Sequence, residues 1–457
     1  MESPLLITRV RQAAVCLLAF IGFSVSAYEP AVPGSIDDPQ YCGACHQRIY
    51  KEYSQSVMGT DLQNPIVYQF YTGTNAKGEK DGMGYQGIFP GEAGDCAQCH
   101  VPKLAIKEHQ AGRKVDLGQA IRDKADFGIS CTYCHTVAHV AVKKEGDRYK
   151  TGPIHTVTLD ESGAIHGPRE GVTSPGFEIK VNPQLRAAEF CSQCHLNQEE
   201  GHARTRNEGK GVLAISTYAD WKKLYDAGIV RQTCQECHMP LLPGQQEIAV
   251  GAPKRYGARA HTFVGAHDPE TLRNAVTFDM TTQIVGDELV VNTAVENVGA
   301  GHSIPGSGPI RAVLLKIDVT DAEGKTLSYT GGPDGLLHPL AGMGHPKTGE
   351  RGPQDWGGMP GKFYGKPLQS PPDPKTGKPR LGVGGFAAEK VAFDTTLKPF
   401  TPARGEFRFK LPEGKAPVKV VARLVYRWAP IGLATAKGWK VVDRLMMDDV
   451  VRIVERP

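Results

Sequence analysis

Hydrophobic and polar residues alternate along four stretches in the C-terminal part of the chain. These stretches are 289–295, 313–319, 407–411 and 418–426. In the second stretch, Val313 and Leu315 would lie on one face of a strand and Lys316 on the other. We therefore predict half-buried β-strands at all four. Glycine-containing turns such as 285–288 separate them, and several short strands of this kind favour an all-β, immunoglobulin-like sandwich over residues 269–457.

Residues 28–268 lack that alternation. The chain has 457 residues, more than one core usually holds, so two domains are expected. It also contains 53 glycines and 33 prolines, with only 7% aromatic residues, which indicates long stretches of turn and loop. We predict a first domain made mostly of α-helix and loop, packed around a bound cofactor in place of an ordinary side-chain core.

The first 27 residues have the pattern of a secretory signal peptide. Arg9 and Arg11 precede an apolar run at 13–25, and Ala27 ends a small-residue cleavage pattern before Tyr28. A membrane anchor is the competing interpretation, but the run is too short to span a bilayer comfortably. We expect export to the periplasm, with secretion or display at the cell surface as alternatives, and no stable membrane span.

Ten of the eleven cysteines would remain after cleavage, since Cys16 lies in the apolar run without the small preceding residue of a lipoprotein signal. All ten belong to five copies of Cys-x-x-Cys-His, numbered here in chain order. The motifs are Cys42, Cys45 and His46; Cys96, Cys99 and His100; Cys131, Cys134 and His135; Cys191, Cys194 and His195; and Cys234, Cys237 and His238.

This pattern is the attachment sequence of c-type haem. Two thiols three residues apart on a helical turn can form thioethers with one porphyrin, and the next residue, a histidine, can bind its iron. Zinc ribbons do not need a histidine after every pair, thioredoxin-like sites use a single pair, and a disulfide framework would show mixed spacings. We predict five covalently attached haems, close enough together to conduct electrons.

A second histidine on each iron would give low-potential haems suited to electron transfer. The candidates are His261 and His302 in turn-rich stretches, His155 and His202 shortly after glycines, and His139 four residues after His135. His139 could serve only a neighbouring haem, because it shares a helical face with His135. Five other histidines rank below these: His109, His166, His267, His338 and His345. Met58 is either a thioether ligand that raises one potential or a packing residue.

The first motif and its surroundings resemble a known family. Tyr41-Cys42-Gly43-Ala44-Cys45-His46, followed by Tyr53 and Ser56-Val57-Met58-Gly59, is similar to the cytochrome c-554-like domain. The resemblance extends over about Tyr41 to His267 and places the chain near hydroxylamine oxidoreductase and pentahaem nitrite reductase. It implies haems stacked in parallel and perpendicular pairs. The common pattern has His where this chain has Met58.

Two functions follow as hypotheses. The first is an electron carrier between redox protein partners, favoured because the Cys-x-x-Cys-Lys motif of those nitrite reductases is missing. The second is an oxidoreductase of a small nitrogen or sulfur compound, with one haem left open to substrate. A homo-oligomer, including a filament subunit, is a further possibility. The formal charge of +4 should approach zero with the signal removed and haem propionates counted, so we infer no nucleic-acid partner.

A glycine- and proline-rich insertion at about 330–386 interrupts the predicted strands. It is either a long surface loop or a flap over a haem or a docking surface, and the pattern alone leaves both open. The C-terminal half contains no recognisable Ser, Asp and His catalytic constellation.

Overall fold

The computed structural model describes residues 28–199, 212–306, 308–332, 335–345 and 348–456. The predicted signal peptide, with Cys16, and the candidate ligand His202 lie outside the described residues. Within those ranges, no helix combines the length and apolar character needed to cross a membrane.

The helices are short. They are α1 (Pro39–Gly43), α2 (Gln47–Ser54), α3 (Pro65–Thr72), α4 (Tyr85–Ile88), α5 (Ala97–His100), α6 (Pro102–Gln110), α7 (Leu117–Asp123), α8 (Cys131–Thr136), α9 (Pro153–Thr156), α10 (Glu189–His195), α11 (Thr217–Asp226), α12 (Cys234–His238), α13 (Pro269–Ala275) and α14 (Ile431–Lys437).

The strands become longer after residue 275. They are β1 (Val137–Val140), β2 (Lys143–Glu145), β3 (Arg148–Lys150), β4 (Val157–Leu159), β5 (Ile165–Gly167), β6 (Ile179–Val181), β7 (Asn197–Glu199), β8 (Val212–Ile215), β9 (Val276–Val285), β10 (Glu288–Asn297), β11 (Ala312–Thr320), β12 (Gly361–Gly365), β13 (Leu368–Pro372), β14 (Pro379–Leu381), β15 (Lys390–Val391), β16 (Ala403–Lys410), β17 (Val418–Arg427), β18 (Arg444–Leu445) and β19 (Val450–Val454).

The N-terminal half consists of short helices, loops and two-stranded ladders, in which β1 pairs with β4, β2 with β3, β5 with β6, and β7 with β8. Its apolar clusters are small. One contains Leu117 and Val101, another Tyr133 and a third Trp221. Tyr133 and Trp221 also line the large cavity described below, so these clusters form parts of its wall.

The C-terminal half contains two larger sheets, with strand orders β16-β10-β9 and β12-β11-β17-β18, and β19 also pairs with β17. The four alternating stretches of the sequence are strands β10, β11, β16 and β17. One apolar cluster takes side chains from both sheets, including Val291 and Phe407 from one and Leu315 and Leu424 from the other. The predicted immunoglobulin-like sandwich and the boundary after residue 268 remain predictions.

The insertion at about 330–386 is a structured part of this half. It adds β12 to the sheet, and its Leu337 and Trp356 pack with Leu314 on the face of β11 turned away from the main core. Its Phe386 makes an edge-on contact with Phe70, with ring centres 5.4 Å apart. The insertion therefore links the strand-rich half to the helices that precede it.

A buried lysine strengthens the same junction. Lys437, at the end of α14, is fully inaccessible and forms an ion pair with Asp81 at 2.9 Å. Its ammonium also donates to the backbone oxygens of Gln69 and Thr74. Burying an ammonium is costly unless its donors are satisfied, and here three acceptors from the N-terminal half satisfy them.

Arg427 is the second buried cation. Its side chain is 1% exposed, and it donates through Nε and Nη2 to the two carboxylate oxygens of Asp443, both at 2.7 Å. Its Nη1 donates to the backbone oxygen of Ala341, and its guanidinium lies over the Trp356 ring. Arg427 therefore connects β17 to the insertion.

Replacing Arg427 with alanine is expected to lower the free energy of unfolding by about 3–5 kcal/mol, because the Asp443 carboxylate would stay buried without its partner. The measurement is equilibrium unfolding in urea, with the slope checked for a constant change in exposed surface. Arg423→Ala is the matched control, since Arg423 pairs with Asp449 at a more exposed position and should cost about 0–1 kcal/mol. Equal losses in both variants would contradict the role given to Arg427.

Candidate functional site

Each Cys-x-x-Cys-His motif lies on one helical turn or at its edge. The third, fourth and fifth motifs are contained in α8, α10 and α12, and the second begins one residue before α5. Side chains fix where three of the turns begin. Asp38 accepts from the Gln40 N–H before the first motif, and Ser130 accepts from the Tyr133 N–H in the third. Thr233 and Glu236 form a reciprocal capping box at the fifth.

In the first motif the His46 N–H donates to the Cys42 carbonyl at 2.8 Å, so the turn continues past the end of α1. The equivalent bond in the second motif joins His100 to Cys96 at 3.3 Å. Both thiols and the imidazole of a motif therefore project from one turn, as the attachment of a planar group requires.

The ten motif cysteines and five motif histidines all line one continuous cavity of about 3030 Å³. A pocket for a single small ligand has a volume of about 300–1,000 Å³. The cavity is therefore large enough for several cofactors and is shared by all five motifs. Residues of the insertion reach it too, because Gly384, Gly385 and Phe386 belong to its wall.

The ten motif cysteines form no disulfides in the described structure, and sulfur atoms of different motifs lie close to each other. The contacting pairs are Cys42 with Cys131, Cys99 with Cys194, and Cys191 with Cys234. The first motif thus adjoins the third, the second adjoins the fourth, and the fourth adjoins the fifth. Tyr133 of the third motif donates its hydroxyl to Gln193 of the fourth. The five motifs therefore form one connected group whose spatial order differs from the chain order.

The thiols are not arranged as ligands of a bare metal ion. Burial raises the pKa of the Cys134 thiol to about 12. In the described part of the chain, no three His, Cys, Asp or Glu side chains are grouped to hold an ion. The arrangement instead fits organic groups attached through sulfur, with one imidazole for each.

Backbone carbonyls orient three of the motif imidazoles. His46 donates from Nδ1 to Ile248 O at 2.9 Å, and His135 to His166 O at 2.7 Å. His238 donates from Nδ1 to Val264 O at 2.5 Å. A carbonyl can only accept, so each ring carries its proton on Nδ1, and the lone pair on Nε2 is free to bind a metal.

His100 is oriented by a side chain, because its Nδ1 lies 2.6 Å from the Asp61 carboxylate. The fifth ring, His195, is kept neutral by its surroundings. Burial, followed by the nearby His238, Arg311 and His302, lowers the pKa of His195 to about 4. At neutral pH this ring therefore also has a lone pair.

Two of the predicted second ligands meet motif histidines in the cavity. The rings of His302 and His238 lie nearly parallel, at 14°, with centres 6.3 Å apart. Both imidazoles line the cavity, so the pair could bind one metal. His302 donates from Nδ1 to Ser303 O at 2.9 Å, which leaves its Nε2 unprotonated as well.

The His302 loop is held by Asn297, a fully buried residue at the end of β10. Its amide donates to the backbone oxygens of His302 and Leu397, at 2.8 and 3.2 Å, and its Oδ1 accepts from the Ala300 N–H. The strand-rich half therefore places one imidazole in a cavity built mainly by the other half.

His261 is the other predicted ligand that lines the cavity. Burial lowers its pKa to about 4, and the proximity of His135 adds to the shift. Its backbone N–H donates to Glu52 at 2.9 Å, which fixes the residue next to α2. His261 is thus a neutral imidazole near the third motif.

The structure does not bring His139 and His155 to the cavity. The helix α8 ends at Thr136, and His139 lies exposed on β1, so it no longer shares a helical face with His135. His155 is exposed and packs edge-on against His109, with ring centres 5.8 Å apart. Neither ring is part of the cavity wall, whereas Met58 is part of it. The assignment of second ligands remains a prediction.

His166, which ranked low in the sequence, is a cavity residue with an unpartnered nitrogen. It is 6% exposed, and its Nε2 bonds to Asp160 at 2.8 Å. Its Nδ1 is buried with no hydrogen-bond partner in the described structure. His166 is therefore a further ligand candidate. Its environment depends on the pairing of β5 with β6 and on Asp160, and no local sequence signal indicated either. His267 lines the cavity as well.

Comparison with known proteins supports the fold. No family model and no curated protein matches the chain. Among solved structures, the chain is similar to the penta-heme cytochrome c552 from Thermochromatium tepidum, with a TM-score of 0.58 and 20% sequence identity over 91% of this chain and 98% of that one. This likeness shows a shared fold along almost the whole length of both chains.

A buried carboxyl holds the second and third motifs together. Asp126 accepts from the Leu104 N–H at 3.0 Å, just after the second motif, and from the Gly128 N–H at 2.7 Å, just before the third. Burial raises the pKa of Asp126 to about 6. The carboxyl therefore changes charge close to neutral pH.

The contribution of Asp126 to the stability of the protein is expected to fall as the pH rises from about 4 to 6, because Asp126 keeps its proton in the folded state and loses it near pH 3.9 in the unfolded chain. In this window the carboxyl binds fewer protons in the unfolded state, so its contribution to the free energy of unfolding decreases by up to about 3 kcal/mol.

Urea unfolding across this pH range measures the effect. Asp126→Asn should remove this contribution, so its free energy of unfolding relative to the wild type should rise with pH across this range. Asp226→Asn, which changes an exposed carboxylate paired with Lys222, should follow the wild type. A constant difference between Asp126→Asn and the wild type would contradict the role given to Asp126.

Proposed function

We propose that this chain is an exported pentahaem c-type cytochrome that transfers electrons between redox protein partners. One observation carries the proposal: all ten motif thiols and all five motif imidazoles line one cavity. A similar fold in a penta-heme cytochrome supports it, as do the five attachment motifs. Export to the periplasm or cell surface, and assembly into a homo-oligomer, belong to the same proposal.

The residues have distinct roles in it. Ten cysteines would hold haem c through thioethers, and His46, His100, His135, His195 and His238 would each bind one iron through Nε2. A bound haem supplies a one-electron couple of ferric and ferrous iron. The protein orients four of these imidazoles through hydrogen bonds at Nδ1. Buried residues such as Tyr133 and Trp221 exclude water.

The thiol contacts support a continuous path for electrons. They join the first motif to the third, the second to the fourth, and the fourth to the fifth, and the Tyr133–Gln193 hydrogen bond joins the third to the fourth. Every motif thus has a neighbour in contact. Closely spaced cofactors suit an electron carrier, because an electron can enter at one motif and leave at another. His302 would provide the second ligand opposite His238, and His261 one near His135.

The protein purified from a host that matures c-type cytochromes is expected to carry five haems. Intact-mass measurement, together with the absorbance of the pyridine haemochrome, gives that number and shows whether the mature chain begins at Tyr28. Denaturation supplies the control, because covalently attached haem remains with the polypeptide when the protein is unfolded. Any stoichiometry other than five would contradict the proposal.

Changing His302 to alanine should convert one haem from low spin to high spin, because the iron opposite His238 would lose a ligand. Electron paramagnetic resonance of the oxidised protein measures this change. His155→Ala is the control, since that ring is exposed and away from the cavity. Unchanged low-spin signals in His302→Ala would exclude His302 as a ligand. A high-spin signal in the wild type that responds to nitrite would favour the oxidoreductase alternative.

A further inference from the structure

One motif histidine is oriented differently from the others. His46, His135 and His238 donate from Nδ1 to neutral backbone carbonyls, whereas the Nδ1 of His100 lies 2.6 Å from a carboxylate oxygen of Asp61. A hydrogen bond to an ionised acceptor is shorter and about twice as strong as one between neutral groups. The second motif therefore has a distinct electronic environment.

A compact turn holds Asp61 in this position. Ser56 donates from Oγ to Tyr53 O at 2.7 Å, and the Gly59 N–H donates back to Ser56 Oγ at 3.1 Å. A side chain at Gly59 would bring a Cβ within 2.2 Å of Tyr53 O, so only glycine fits there. The chain then enters a single 3-10 turn, Asp61–Gln63.

The next residue, Leu62, supports the same contact. It packs close to Gly128, where an added Cβ would lie 3.1 Å from Leu62 and 3.4 Å from the His100 carbonyl. The turn that carries Asp61 is thus packed close to Gly128, which also lies beside the His100 carbonyl. Asp61 itself is mostly buried, with 16% of its side chain accessible.

The charge of Asp61 acts on His100 without competition from a basic side chain. Across the described ranges, Asp61 forms an ion pair with no lysine or arginine. The other histidine–carboxylate contact differs in this respect, because Asp160 binds His166 and also Lys180, at 2.8 Å each. Lys180 neutralises that carboxylate, whereas the charge on Asp61 is directed at one imidazole ring.

We infer that Asp61 is a positioning residue that lowers the reduction potential of the iron bound by His100. The inference rests on the proposed function. The carboxylate draws the Nδ1 proton towards itself, which makes Nε2 a stronger donor to the metal. A stronger donor stabilises ferric iron more than ferrous iron, so the reduction potential falls.

The redox step involves a single electron. A reduced protein partner supplies one electron, ferric iron becomes ferrous, and no covalent bond forms or breaks. The Nδ1 proton remains between His100 and Asp61 throughout. Since the second motif contacts the fourth through Cys99 and Cys194, the reduced second site is a strong donor beside the rest of the group.

Spectroelectrochemical titration of the haem-loaded protein tests the inference. Asp61→Asn keeps the size and one acceptor oxygen but removes the charge, so it should make one of the five sites easier to reduce. We expect the equilibrium constant for reduction of this site to rise by about tenfold, which for one electron corresponds to a rise of about 59 mV in its potential. Tenfold is the lower end of the effect on metal affinity or activity when a group bonded to a metal ligand is removed. Asp61→Glu, which keeps the charge, should remain near the wild type.

Asp449→Asn is the matched control, because it removes the same charge from a pair with Arg423 that lies away from the cavity. It should leave all five potentials unchanged. Electron paramagnetic resonance should show a changed signal for one haem only in Asp61→Asn.

The outcomes separate the two proposals. Fewer than five haems in the wild type would overturn the proposed function. Five haems in Asp61→Asn with five unshifted potentials would overturn the role of Asp61 alone. An equal shift of all five potentials would also overturn it, since that result indicates a general change in charge or packing.

Discussion

An imidazole can present its Nε2 lone pair to a metal only when the ring proton stays on Nδ1, and the fold of the N-terminal half depends on this constraint. The motif places a histidine beside two thiols but does not determine how the ring is turned. The acceptor that holds the proton comes from elsewhere in the chain, 31 residues away for His135, 39 for His100 and 202 for His46. The local sequence thus supplies the ligands, and the tertiary structure supplies the acceptors that keep their protons on Nδ1.

The surrounding electrostatics act in the same direction. Burial keeps His195 and His261 neutral, so neither ring adds a charge to the cavity. The charged groups that the fold does bury, such as Lys437 and Arg427, lie at the junctions between its parts and are paired there. The strand-rich half and its insertion serve as a frame, which holds His302 through Asn297 and closes part of the cavity wall with Phe386.

The sequence was most informative where the relevant spacing is short. The attachment motifs and the alternating strands β10, β11, β16 and β17 follow from local periodicity, and the turns around His261 and His302 also pointed to the cavity. His139 illustrates the opposite case, because its interpretation assumed a continuing helix where the chain changes to a strand after Thr136. His166 and Asp61 gave no signal, since each acts through a partner that only the folded chain brings near. The continuous apolar run at the start of β11 reflects burial on both faces, by the main core on one side and by the insertion on the other.

The hydrogen bond between His46 and Ile248 also sets an order of events during biosynthesis. Synthesis proceeds from the N-terminus, so the first motif emerges long before the residue that orients its ring. His46 therefore cannot reach its final geometry until all four later motifs have been made, since the last of them ends at His238. The contacts of the 239–267 segment with His46 and His238 therefore form only after every motif has been synthesised.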